Sequence, residues 1–118
     1  MVFGSSGLEN KPDGNVTDCY LYRALDDFEA NHHIKTICNP RRVLGFSNPH
    51  NPYYRKGYYN YDEDGEIIVG PKSTYVKYDH IRINHYFTKS KEEYLEKISR
   101  GKADSNILRD MGDFVKHD

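Results

Sequence analysis

Residues 84–101 read NHYFTKSKEEYLEKISRG, and this stretch decides how the chain is organised. Ile81, Ile83, His85 and Phe87 share one face of a period-2 segment, while Arg82, Asn84, Tyr86 and Thr88 share the other. The pattern predicts a strand over 81–87 with His85 on its mostly apolar face. Ser90 and Glu93 have capping-box spacing, so a helix is expected to start there. Glu93 with Lys97 adds a favourable four-residue pair, and Tyr94, Leu95 and Ile98 form one apolar stripe. Gly101 supplies the left-handed residue that closes a helix, with Lys97, Arg100 and Lys102 crowding its negative end. His85, Lys89 and Ser90 thus gather at a strand-to-helix junction, where a helix N-terminus flanked by a lysine suits an anion. Local pattern alone also accommodates a plain structural histidine at position 85.

Outward from this stretch, the chain reads as short elements joined by turns. Residues 1–15 are loop, with Lys11-Pro12-Asp13-Gly14 as a turn. Residues 16–29 are predicted helical, with the acidic end Asp26, Asp27 and Glu29 opposing the helix dipole. Residues 34–38 and 42–46 are predicted strands joined by a turn at Asn39-Pro40-Arg41-Arg42. Residues 48–61, rich in Asn, Pro, Gly and Tyr, read as a loop ordered through its rings. Asp64-Gly65 marks a hairpin tip before a brief strand at 66–70, and residues 75–79 are a candidate pairing partner nearby. A last helix is expected over 105–117 within the C-terminal region 105–118, loosened in its middle by Gly112. The expected fold class is α+β, a small mixed or antiparallel sheet with two to three helices. The whole of 1–118 is read as a single domain.

Composition narrows the function classes. Among 118 residues, 17 are Lys or Arg and 18 are Asp or Glu, with no basic run, which disfavours generic nucleic-acid binding. Eleven tyrosines and no tryptophan put the apolar burden on half-polar rings suited to surfaces and clefts. No stretch of eighteen or more apolar residues occurs, so no membrane span is expected, nor a secretory leader. Cys19 and Cys38 lack close-ligand spacing and are expected as reduced thiols. The six histidines form no His-Glu-x-x-His pattern, which counts against a stand-alone metal hydrolase.

Several segments, taken in order, resemble the C-terminal part of glycosyltransferases of the family-92 and family-2 kind. They are Phe3-Gly4-Ser5-Ser6-Gly7, His33-Ile34-Lys35-Thr36-Ile37 with Asn39-Pro40, Pro49-His50, Asn84 to Ser90, the Glu-Glu-Tyr of the helix, and Lys97 to Gly101. Gly-Ser-Ser-Gly is also the wording of a cloning scar, but Phe3 before it and Leu8 after it fit the family's turn after a strand. The resemblance implies the C-terminal portion of a GT-A-like α/β enzyme of polysaccharide biosynthesis. Such an enzyme moves a sugar from a nucleotide-sugar donor to a glycan or lipid-linked acceptor with the help of a divalent metal, Mn or Mg. It implies further that the acidic Asp-x-Asp-type motif lies upstream in a missing N-terminal half, so that this chain by itself is inactive and binds no metal strongly. Asp62-Glu63-Asp64 is not that motif, since it reads as a solvated hairpin tip.

By resemblance, His85 would complete the metal shell, and Lys89, Ser90 and Lys35 would face the donor phosphates. Ser5, Ser6, His50 and Tyr86 would line the acceptor or substrate side. Arg100 sits about 15 Å along the helix from Ser90 and is expected to fix packing instead. The implied compartment is the cytoplasm, with membrane association of the full-length protein left open. The alternative is a non-catalytic module whose Tyr-rich loop, 53–61, binds a carbohydrate or a protein.

Overall fold

In a computed structural model, residues 1–102 and 107–118 are described. The chain is a small mixed α/β protein, in keeping with the α+β expectation, and its contacts gather it into two compact units. One comprises Met1–Val2 and Leu25–Ile83, the other Phe3–Ala24 and Asn84–Asp118.

The second unit is organised by β1 (Val2–Ser5), which lies between β2 (Tyr22–Arg23) and β7 (Asn84–His85) in a three-stranded sheet. β1 and β2 are antiparallel, with Gly4 opposite Arg23 and Ser5 opposite Tyr22. The predicted helix over 16–29 is corrected: only α1, Val16–Cys19, is α-helical, and Glu29 opens a separate 3-10 turn, Glu29–His32. Beyond it Ala24 donates its amide to the Phe3 carbonyl, so strand pairing captures the chain that a helix would have continued. The strand predicted over 81–87 shrinks to β7; on its C-terminal side Phe87 N folds back onto the His85 carbonyl and Lys89 takes φ 58°.

The capping box forms as predicted. α2 (Lys91–Arg100) starts at Ser90, whose hydroxyl accepts the Glu93 amide at 3.2 Å, and ends at Gly101 with φ 73°. Tyr94 and Ser90 are fully buried, joined in the core by Phe3, Tyr20 and Thr88. The last helix is α3, Met111–His117, capped by Asp110, whose carboxylate accepts the Asp113 amide. Residues 107–110 are not helical, and the part of the prediction over 105–106 lies outside the described residues. Gly112 therefore sits in the first turn, not the middle. A Cβ there would meet Asp110 Oδ1 at 2.9 Å, so the glycine makes room for the cap.

The first unit is built from two hairpins. β3 (Val43–Phe46) pairs antiparallel with β4 (Pro52–Tyr54), with a register shift between Val43 and Gly45. This corrects the reading of 48–61 as loop. Asn48 Oδ1 accepts the amides of His50 and Asn51, a side-chain turn that folds Pro52–Tyr54 back onto β3. β5 (Asn60–Tyr61) pairs with β6 (Ile67–Ile68) around the predicted tip, where Gly65 has φ 85° and Asp62 Oδ1 accepts the amides of Asp64 and Glu66. The strands predicted at 34–38 and 75–79 do not form. His33 makes one bridge to Lys72, and a short 3-10 turn, Pro40–Arg42, caps on Asn39. Cys19 and Cys38 are half-buried and unbridged. Among the described residues, no helix is long and apolar enough to cross a membrane.

Candidate functional site

In the second unit, segments some 80 residues apart in sequence meet at the strand-to-helix junction. The Ser6 hydroxyl donates to the Lys89 carbonyl at 2.6 Å, and Thr88 Oγ1 reaches the Gly4 carbonyl at 3.4 Å. Ser6 N and Gly7 N both donate to the Asp118 carboxylate. The ring of His85 stands edge-on to Phe3, centroids 4.5 Å apart, and tilts against Phe87 at 5.8 Å. His117 packs on the same two phenylalanines, 5.4 Å from Phe3 and 4.7 Å from Phe87, while its Nδ1 lies 2.8 Å from the Asp113 carbonyl. Periodicity gave His117 no role, since nothing local signals that the last helix returns its histidine to these rings.

The helix N-terminus is met by the chain itself. Lys91 N donates to the Leu8 carbonyl at 2.9 Å, Glu92 N to the Glu9 carbonyl at 3.0 Å, and Glu93 N to Ser90. Ser90, wholly buried, is thus a positioning residue, and a phosphate at these amides would have to displace Leu8 and Glu9. Lys89 remains partly exposed and gives one N–H to Glu93 Oε1 at 3.1 Å. Glu93 collects donors: the Tyr20 hydroxyl in a very short contact, Lys89 Nζ and Ser90 Oγ. Burial pushes its carboxyl up, but these hydrogen bonds outweigh burial and it titrates below the ordinary range. Tyr86 is half-buried, its ring 6.4 Å from that of Tyr20. Ser5 contributes backbone pairing in β1, and its side chain lies outside the described residues.

Lys97, two turns into α2, reaches back to the junction. Its Nζ donates to the Phe87 carbonyl at 2.5 Å and lies 3.9 Å above the Phe87 ring. Burial, then Arg109, Arg100 and Lys89, lower its pKa to about 8.

In the first unit, the His33–Ile37 and Pro49–His50 segments are laced together. His50 Nδ1 lies 2.9 Å from the Ile34 carbonyl, Thr36 Oγ1 donates to the His50 carbonyl at 2.9 Å, and Lys35 Nζ donates to the Pro49 carbonyl at 3.0 Å. The His33 and His50 rings stack at 4.8 Å. Burial lowers the His50 pKa, with Lys35 and His33 adding to the effect against the pull of the Ile34 carbonyl. Lys35, Thr36, Asn60, Tyr61 and Tyr75 also line a cleft of about 260 Å³ in this unit. The Tyr61 and Tyr75 rings are 57% and 69% exposed.

The residues expected to serve one site thus fall in two groups: Ser6, His85, Tyr86, Lys89 and Ser90 in the second unit, Lys35 and His50 in the first. Among the described residues, no three His, Cys, Asp or Glu side chains gather in a way that would hold a metal ion. Comparison with protein-family models, with curated proteins and with solved structures finds no match for this chain.

Proposed function

We propose that this chain is the C-terminal portion of a metal-dependent glycosyltransferase, one that transfers a sugar from a nucleotide-sugar to a glycan or lipid-linked acceptor. The observation that carries the reading is the junction of the second unit. Two of the segments that carry the resemblance, Phe3–Gly7 and Asn84–Ser90, are bonded together through Ser6 and Lys89 and meet edge-on through Phe3 and His85.

The chemistry of the donor fixes what such a site must supply. As the bond between sugar and diphosphate breaks, charge grows on the diphosphate oxygens, and fixed cations or a metal stabilise it. A divalent metal, when bound, acts there as a Lewis acid. His85 would offer it one imidazole nitrogen from a half-buried ring braced by Phe3, and the remaining ligands would come from the upstream half that the resemblance implies. Lys89 has further N–H donors beyond the one given to Glu93 and is assigned to the phosphates. Ser90 holds the helix start beneath it.

A second reading is favoured by one observation: Tyr53 and Tyr59 are 58% and 54% exposed in the Tyr-rich segment, as in a module that stacks on a carbohydrate or protein. Paramagnetic NMR separates the two. With Mn²⁺ added to this chain, the transferase reading expects line broadening centred on His85 and no sugar transfer from a nucleotide-sugar. Broadening centred on Asp62–Asp64 instead, or turnover by the chain by itself, would overturn it. Glycan-induced shifts confined to Tyr53 and Tyr59, with His85 unmoved by Mn²⁺, would support the module.

A further inference from the structure

The cleft of the first unit is not accounted for by donor chemistry, and its walls define what it can hold. Its charges are consumed internally. Lys77 Nζ lies between Asp62 at 2.7 Å and Asp64 at 2.6 Å, and Glu63 accepts the amides of Asp79, His80 and Ile81 at 2.8–3.0 Å. Lys35 and the Met1 ammonium are the remaining cations of the wall, and both are engaged with backbone, Lys35 with the Pro49 carbonyl and Met1 with that of His33; with Lys77 they equal in number the carboxylates of Asp62, Glu63 and Asp64. An ionic ligand would therefore find no net opposite charge. Ile34, Ile68 and Ile83 give an apolar lining, and Tyr61 and Tyr75 stand at the cleft with exposed rings whose hydroxyls have no partner among the described residues. At about 260 Å³ the cleft falls just below the usual range for drug-sized ligands, about 300–1,000 Å³, so its occupant is small.

We propose that this cleft binds a single neutral sugar residue, the acceptor end of a glycan, with Tyr61 and Tyr75 against the C–H faces of the pyranose. A pyranose matches the walls because it is amphipathic in the same way: its ring faces are apolar C–H surface and its rim carries hydroxyls. Apolar lining and ring faces take the former, while the two tyrosine hydroxyls and the spare N–H groups of Lys35 take the latter. As an acceptor site this assignment rests on the transferase reading. Binding itself requires no catalysis, so the two fail separately.

The test is an NMR titration of the whole chain with the methyl glycosides of glucose, galactose and N-acetylglucosamine, and with glucose 1-phosphate as the charged comparison. At least one methyl glycoside is expected to shift Thr36, Asn60, Ile68 and Tyr75 with a millimolar Kd. Tyr61→Ala and Tyr75→Ala should each weaken binding about tenfold. Both rings are exposed, and an unchanged spectrum outside the cleft will verify that each variant is folded. The proposal is overturned if no methyl glycoside moves the cleft signals, if glucose 1-phosphate binds more tightly than its neutral counterpart, or if the shifts are confined to Tyr53 and Tyr59. Sugar binding without transfer by the full-length protein would sink the transferase reading alone, and transfer without binding here would sink the cleft assignment alone.

Discussion

Lys97 Nζ donates to the Phe87 carbonyl while resting 3.9 Å above the Phe87 ring, so a cation of α2 is held inside an aromatic nest. The carbonyl and the ring face favour the ammonium, but burial, reinforced by Arg109, Arg100 and Lys89, wins and brings its pKa to about 8. A folded-state pKa below the ordinary 10.5 means that the unfolded chain binds the proton more tightly. The penalty is complete below about 8 and disappears as pH climbs to 10.5, so this group makes stability rise with pH across that window. A lysine-selective NMR titration should find the Lys97 midpoint near 8, against a value above 10 for a lysine in water. The stability difference between Lys97→Met and wild type should also move in favour of wild type as pH rises through the window.

The same nest contains an unmet hydroxyl. Tyr94 is fully buried, its ring 5.9 Å from Phe87 and 5.3 Å from Phe114, and its Oη has no hydrogen-bond partner among the described residues. Burying such a group without a partner costs about 1–3 kcal/mol. Tyr94→Phe is therefore expected to stabilise the chain by about 1 kcal/mol in urea denaturation. A loss of that size would mean that the hydroxyl is bonded.

His50 sets an acid limit on the first unit. Its folded pKa lies below the ordinary 6.5 because burial, Lys35 and His33 all disfavour the imidazolium. Between the folded value and 6.5 the unfolded chain takes up a proton that the folded chain refuses, so this contribution is complete above 6.5 and is lost on acidification. His50→Gln retains an N–H for the Ile34 carbonyl but does not titrate. Its stability should fall less steeply than that of wild type between about pH 7 and 5, as read by denaturation at each pH.

What the sequence discloses follows from where the determining contacts lie. α2 was legible from end to end because Ser90, Glu93 and Gly101 fix it by contacts within four residues. The Asp62–Gly65 tip was legible for the same reason, since the Asp62 side chain folds the turn onto itself. The 16–29 segment was misread because its fate is set by β1, through Ala24 and Phe3, which no periodicity within the segment reports. Residues 34–38 alternate like a strand, yet their fastenings are side chains, Lys35 and Thr36 reaching Pro49 and His50. At the junction, the sequence located His85, Lys89 and Ser90 together, but gave no sign that Leu8 and Glu9 would take the helix amides offered to an anion.

The proposed role of His85 is tested most directly by Mn²⁺-dependent sugar transfer in the full-length protein, comparing wild type with His85→Ala. The variant is expected to lose about a hundredfold or more in kcat/KM and to need more Mn²⁺ for half-maximal activity. Activity within about twofold of wild type, with the Mn²⁺ dependence unchanged, would contradict the assignment of this imidazole to the metal.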